Sequence, residues 1–253
     1  MKKTGRILLI SPLLIIVFFF SYSCAGIMHP AYQGDPAVGY RNAVLDAETA
    51  EVGEISRNLI AVVEENDYVT WGEGDSAGRV LVVTWTSWDG YDEMVGREMT
   101  LSREIWVTVV PELKEFAGEQ FRREADFEKD DYILRLEQLL GLPPGNGKTK
   151  FVEIWVDPAD LFRPSPDPEI TDHEAELDFP RSAKFIAVSE EYVLWFNDLR
   201  AESYGENGYP WTRLGYTYDW GNPDDEIGLS EFVISEGAVV IIHSVTPNLE
   251  YVK

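Results

Sequence analysis

The chain reads as an α+β protein, a single acidic domain built on a mainly antiparallel sheet with several packed helices. Three observations lead there. Runs rich in β-branched residues at 79–86, 105–110 and 151–156 are apolar on both faces, as strands covered on both sides are. Stripes of apolar residues at helical spacing lie around them. The two patterns alternate too irregularly for the repeating βαβ units of a doubly wound fold. With 45% hydrophobic and 13% aromatic residues, the 253-residue chain can build one core of slightly above average size.

The elements follow in order. Residues 24–40, with His29-Pro30 and Gly34-Asp35-Pro36, read as a tether ahead of a domain at 41–253. Leu45, Val52, Ile55, Leu59 and Val62 recur at helical spacing and predict a helix over 43–63. The run 79–86 predicts a central strand, and 105–110 a second one. Pro111 then opens a helix whose face is Leu113, Phe116, Ala117 and Phe121. Asp130 and Asp131 start the next helix, Tyr132, Ile133, Leu136, Leu139 and Leu140 form its stripe, and Gly141 with Pro143-Pro144 ends it. A strand at 151–156 and a Pro-rich ordered or semi-ordered loop at 157–172 follow. Residues 185–188 form a short strand, and Ser189 caps a helix reaching about Arg200. A hairpin ends the chain, 231–234 against 238–244, around Ser235-Glu236-Gly237.

The first 23 residues read as a signal peptide. Lys2, Lys3 and Arg6 precede an apolar run at 7–20, and Ser21-Tyr22-Ser23 supplies a small-residue processing site. The run is interrupted by Ser11 and Pro12 and falls short of the roughly 20 apolar residues that a bilayer span requires. Cys24 is the only cysteine, so no intramolecular disulfide can form. Ser23-Cys24-Ala25 resembles the lipobox of bacterial lipoproteins. The resemblance implies cleavage before Cys24, attachment of diacylglycerol and a fatty acyl chain such as palmitate, and a protein held on a cell-envelope membrane facing the periplasm or exterior.

Charge narrows the partners. Forty-five Asp and Glu oppose 21 Lys and Arg, a net charge of −24, and loss of the signal peptide takes it to about −27. Such a surface repels nucleic acid and attracts cations.

Several motifs invite chemistry. Gly74-Asp75-Ser76-Ala77-Gly78 resembles the nucleophile elbow of α/β-hydrolases, with His243 available as a base. An elbow, however, runs from strand into helix, and here strand-forming residues follow, so the segment reads as a hairpin loop between 68–71 and 80–85. Residues 140–149 resemble a phosphate-binding loop but put Leu142 where its first glycine belongs, and a strand follows them. His29, His173 and His243 are too scattered for zinc. Asp219, Asn222, Asp224 and Asp225 place oxygen donors in a Gly- and Pro-containing turn, the composition of a calcium site, and no other cofactor is indicated. Tyr209, Trp211, Tyr216, Tyr218 and Trp220, interleaved with glycines, either stack on a sugar or a protein partner or pack a second layer of the core.

Residues 139–144, 162–172, 210–220 and 230–234 are similar to segments of bacterial proteins that carry no assigned activity, so the similarity transfers no site residue. The reading is therefore a lipid-anchored, non-enzymatic binding or assembly module of the cell envelope, its partner a protein or cell-wall glycan. The runner-up is an envelope hydrolase of glycan or ester bonds, using Ser76 or a pair of carboxylates. Cys24→Ala is expected to move the protein from the membrane fraction to the soluble one; a variant that still sediments with membranes contradicts the lipid anchor.

Overall fold

Seven strands form one antiparallel sheet whose middle member, β1 (Val80–Thr86), is the run that the sequence marks as central. The computed structural model describes residues 34–123, 129–180 and 188–251. The other strands of this sheet are β2 (Glu98–Thr100), β3 (Ile105–Val109), β4 (Lys150–Val156), β5 (Leu161–Phe162), β8 (Phe232–Ile234) and β9 (Val239–Pro247). They are ordered β2-β9-β4-β1-β3-β8-β5, and every pair of these strands is antiparallel. A separate two-stranded sheet joins β6 (Tyr216–Tyr218) to β7 (Ile227–Ser230). The α-helices among the described residues are α1 (Pro36–Ala47), α2 (Val110–Arg123), α3 (Lys129–Leu139) and α4 (Glu190–Ser203). The α+β expectation holds. No described helix is long and apolar enough to cross a membrane.

The sheet has to curl. From β8 to β9 there are four inter-strand steps, roughly 19 Å at about 4.8 Å each across a flat sheet. The connection from Ile234 to Val239 spans at most about 18 Å when fully extended, and Ala238 N–H donating to Ser235 O folds it back. Only a curved sheet lets so short a link join those strands. Its concave side holds the larger core cluster, with Val80, Val82, Val107, Val109, Ile154, Phe232, Ile234, Val240 and Ile242. On the convex side, Leu81, Val83, Trp85 and Phe151 pack against Leu113 and Ala117 of α2 and Tyr132, Leu136 and Leu139 of α3. This alternation along β1 is the physical reason that its sequence is apolar at nearly every position.

Two expectations are corrected. The helix read over 43–63 is instead α1, which starts seven residues earlier, inside the segment read as tether, and ends at Ala47. Asp35 Oδ1 accepts from Ala37 N–H at 2.9 Å and Pro36 occupies the first turn, a start signal stronger than the apolar spacing that ran on past Gly53. Residues 55–63 form neither helix nor strand, and Leu45 and Val52 of the supposed stripe are exposed. The terminal hairpin is also absent: β8 pairs with β3 and β5, and β9 with β4 and β2. The strand read at 185–188 lies, apart from Val188, outside the described residues.

The Pro-rich loop is ordered by Arg163, which is fully buried. Its guanidinium donates to Asp172 O at 3.0 Å and, at 3.4 Å, to Ile60 O and Glu174 O, tying the loop to the segment before β1. Gly215 lies against the Arg163 side chain with φ +74°, and a Cβ there would stand 2.5 Å from Arg163 Cδ. Gly237 has a similar φ of +85° but nothing within 4 Å of its missing Cβ. Gly237→Ala should therefore cost only the backbone penalty of about 1–2 kcal/mol. Gly215→Ala should cost at least about 1 kcal/mol more, from overpacking. Equal denaturation midpoints for the two variants would contradict this packing.

Candidate ligand cavity

Strands β1 and β3 are neighbours for only two residue pairs, Val82↔Val109 and Val83↔Thr108. Continuing this register would pair Trp85 with Trp106, and that pairing does not form. Beyond Val83 the strands part, and a cavity of about 500 Å³ fills the gap, within the range of small-molecule sites. Residues of both strand faces line it. Val83, Trp85, Trp106 and Thr108 belong to the convex side, whereas Ile105, Val107 and Tyr91 belong to the concave core. The cavity therefore enters between the strands as well as lying on the sheet. A smaller depression, between Asp46 and Glu226, holds only about 10 Å³.

Aromatic rings enclose it. Trp106 and Trp211 meet edge to face at 6.1 Å, and Trp211 in turn packs on Phe196 of α4 at 5.0 Å. Tyr209 stands exposed at the rim, Tyr216 is buried, and Tyr218 is half-buried with its hydroxyl donating to Asp46 Oδ2 at 2.8 Å. Leu199 and Ser203 of α4 and residues 140–142 complete the wall.

Three charged side chains reach this space. Glu104 precedes β3 and accepts from Trp195 Nε1 at 2.9 Å. Glu231 sits between β7 and β8, opposite Thr108, with no hydrogen-bond partner for its carboxyl among the described residues; enclosure by protein pushes its pKa from 4.5 to about 8. Lys148, on the way into β4, donates from Nζ to Trp85 O at 2.8 Å, and burial lowers its pKa. The carboxyls thus come from the β3–β8 side of the gap and the ammonium from the β4–β1 side.

The aromatic wall hangs from the end of α3. A helix leaves its last carbonyls without partners. Here Leu139 O accepts from Thr217 Oγ1 at 2.6 Å and Gln138 O from Trp220 N–H at 3.3 Å. Just past the helix, Leu142 O accepts from Trp220 Nε1 at 3.0 Å. Arg135 of α3 holds Asp219 through two bonds of 2.8 and 2.6 Å, both side chains nearly buried. Trp220 is therefore an anchor outside the cavity, while Tyr209, Trp211, Tyr216 and Tyr218 line it. Sequence proximity grouped all five; the strand β6 and the following turn separate them.

The remaining candidates do not come together. Ser76 lies in a short 3₁₀ turn leading into β1, not into a helix, and its hydroxyl donates to Glu73 O at 3.0 Å. Trp71↔Val80 bridging around it makes the expected hairpin loop. His243, on β9, takes the Trp155 indole N–H at 3.2 Å and lies 3.8 Å from Glu153. No described hydrogen bond links Ser76 to His243. Of the acidic turn, Asp219 is occupied by Arg135, Asn222 Oδ1 accepts from Asp224 N–H and Asp225 Oδ1 from Ile227 N–H. Among the described residues no three His, Cys, Asp or Glu side chains gather as a metal-binding group. Cys24 lies outside the described residues.

No protein-family model, no curated protein and no solved structure matches the chain. The site accordingly rests on its geometry. Glu104, Glu231 and Lys148 were missed in the sequence, where each is one charge among many. The available signal was Thr108 and Glu231, polar residues that break the apolar runs 105–110 and 231–234.

The half-buried Glu231 carboxyl has a consequence for stability. Between about pH 4.5 and pH 8 the folded chain keeps a proton on Glu231 that the unfolded chain has released, so stability falls as pH rises through that window. Glu112, raised to about 7 by burial despite accepting from Ser230, acts in the same direction. Glu231→Gln should flatten the decline measured by chemical denaturation at pH 5 and pH 8. An unchanged pH dependence would contradict a protonated Glu231.

Proposed function

We propose that the protein is a lipid-anchored binding protein of the bacterial cell envelope that holds a small ligand in the aromatic cavity between β1 and β3. The observation that carries this reading is the cavity itself, enclosed by rigid rings and by carboxyl and ammonium groups. Aromatic faces supply contact area with little conformational entropy to lose, and a few polar groups set orientation. The lipobox-like Cys24 supports the location, and the high negative charge supports a small or cationic partner over nucleic acid.

A second reading has one observation in its favour. Two carboxyls, Glu104 and Glu231, reach one cavity, and enclosure raises the Glu231 pKa to about 8, which keeps it protonated as a general acid for glycan hydrolysis must be. The Ser76 route to an esterase has no such support, because its hydroxyl faces a loop carbonyl.

Thermal melting with calcium, muropeptides, simple glycans, amines and short peptides tests the proposal. A cavity ligand at about 100 times its Kd should stabilise the fold by roughly 2.7 kcal/mol. Leu199→Trp, which puts an indole into the cavity wall, should abolish the shift. A shift that persists in this variant places binding elsewhere. Turnover of a muropeptide, lost in Glu231→Gln, would favour the hydrolase.

A further inference from the structure

We propose that the ligand of this cavity is a short peptide with a free ammonium group at one end and a free carboxylate at the other. This deepens the binding reading above and rests on it. The first ground is charge layout. Glu104 and Glu231 belong to the β3–β8 side of the gap and Lys148 to the β4–β1 side, so carboxyls face an ammonium across it, and a bound cation would draw the proton off Glu231. A neutral sugar can hydrogen-bond these groups but compensates neither charge, and a simple amine would use only one wall while facing Lys148. A ligand with both charges, set apart along its length, satisfies both walls.

The second ground is the main chain. Leu81 N–H donates to Thr70 O on the edge of β1 away from β4, so by alternation the main-chain groups of Val83 and Trp85 point to that same edge. Val83 meets Thr108 there; Trp85 meets no strand, although its carbonyl accepts from Lys148 Nζ. Trp106, two residues before Thr108 on β3, faces the gap in the same way. Strand edges are templates for the amides of another chain. A ligand with amide groups can pair with them, which a sugar or a bare amine does less well.

The third ground is size and lining. A volume of about 500 Å³ accommodates two or three residues rather than a long segment, and Trp106, Trp211 and Tyr218 offer faces to apolar side chains. Among the described residues the Glu231 carboxyl has no hydrogen-bond partner, so a ligand ammonium there would supply one.

Equilibrium dialysis of the full chain in detergent tests this. The probes are a pool of di- and tripeptides with free termini, the same pool N-acetylated, the same pool C-amidated, and a pool of mono- and disaccharides and simple amines. The free peptides should be retained, and either cap should reduce retention about tenfold, the scale of one lost charge-assisted contact. Lys148→Met should erase the discrimination against amidation while keeping that against acetylation, and Glu231→Gln combined with Glu104→Gln should do the reverse. If the acidic double variant fails to fold, Lys148→Met alone decides. Equal retention of capped and free peptides overturns the inference. Retention of saccharides or amines instead also overturns it but leaves the binding reading standing, and retention of nothing removes both.

Discussion

The ion pair between Arg135 and Asp219 is the constraint on which the site depends. Two nearly buried charges joined by two short bonds are tolerated only when both are present, because removing one strands the other at a cost of about 3–5 kcal/mol. Arg135 also lies 4.8 Å over the Phe116 ring, which joins α2 to the same point. Asp219 in turn receives Gly221 N–H at 3.1 Å, fixing the turn that follows β6. The aromatic segment is thereby clamped to α3 beside carbonyls that the helix end leaves open. Its rings stand over the gap in the sheet rather than collapsing into it.

In the seven-stranded sheet curled by the short β8–β9 link, β1 and β3 pair for only two residues. Where they separate, β1 keeps seven residues in register with β4, and β3 keeps three with β8. Main-chain groups at Trp85 and Trp106 thus face a cavity walled by aromatic, aliphatic and charged side chains. The same enclosure that makes the rings effective raises the Glu231 pKa, so the electrostatics and the packing of the site share one origin.

Local patterns were legible where one face decides. The apolar runs gave β1, β3 and β4 within a residue or two, and Asp130, Asp131 and Gly141 bracket α3 correctly. Long-range pairing was not. Ser235-Glu236-Gly237 is turn-forming, and a tight turn between strands suggests a hairpin, yet the partners of β8 and β9 are set by sheet curvature that no local signal encodes. α1 was misplaced because apolar spacing across 45–62 mixes exposed and buried residues. The site was half visible. Tyr209, Trp211, Tyr216 and Tyr218 announce themselves by density, whereas Glu104, Lys148 and Glu231 matter only because strands distant in sequence bring them to one space.

The account stands on the parting of β1 and β3, and amide hydrogen exchange at single-residue resolution measures it directly. In the ligand-free protein, the Trp85 and Trp106 amides should exchange far faster than those of Val83 and Thr108, and a bound ligand should slow them. Protection at Trp85 and Trp106 equal to that of their neighbours would mean that the strands stay paired, and that the cavity between them does not exist in solution.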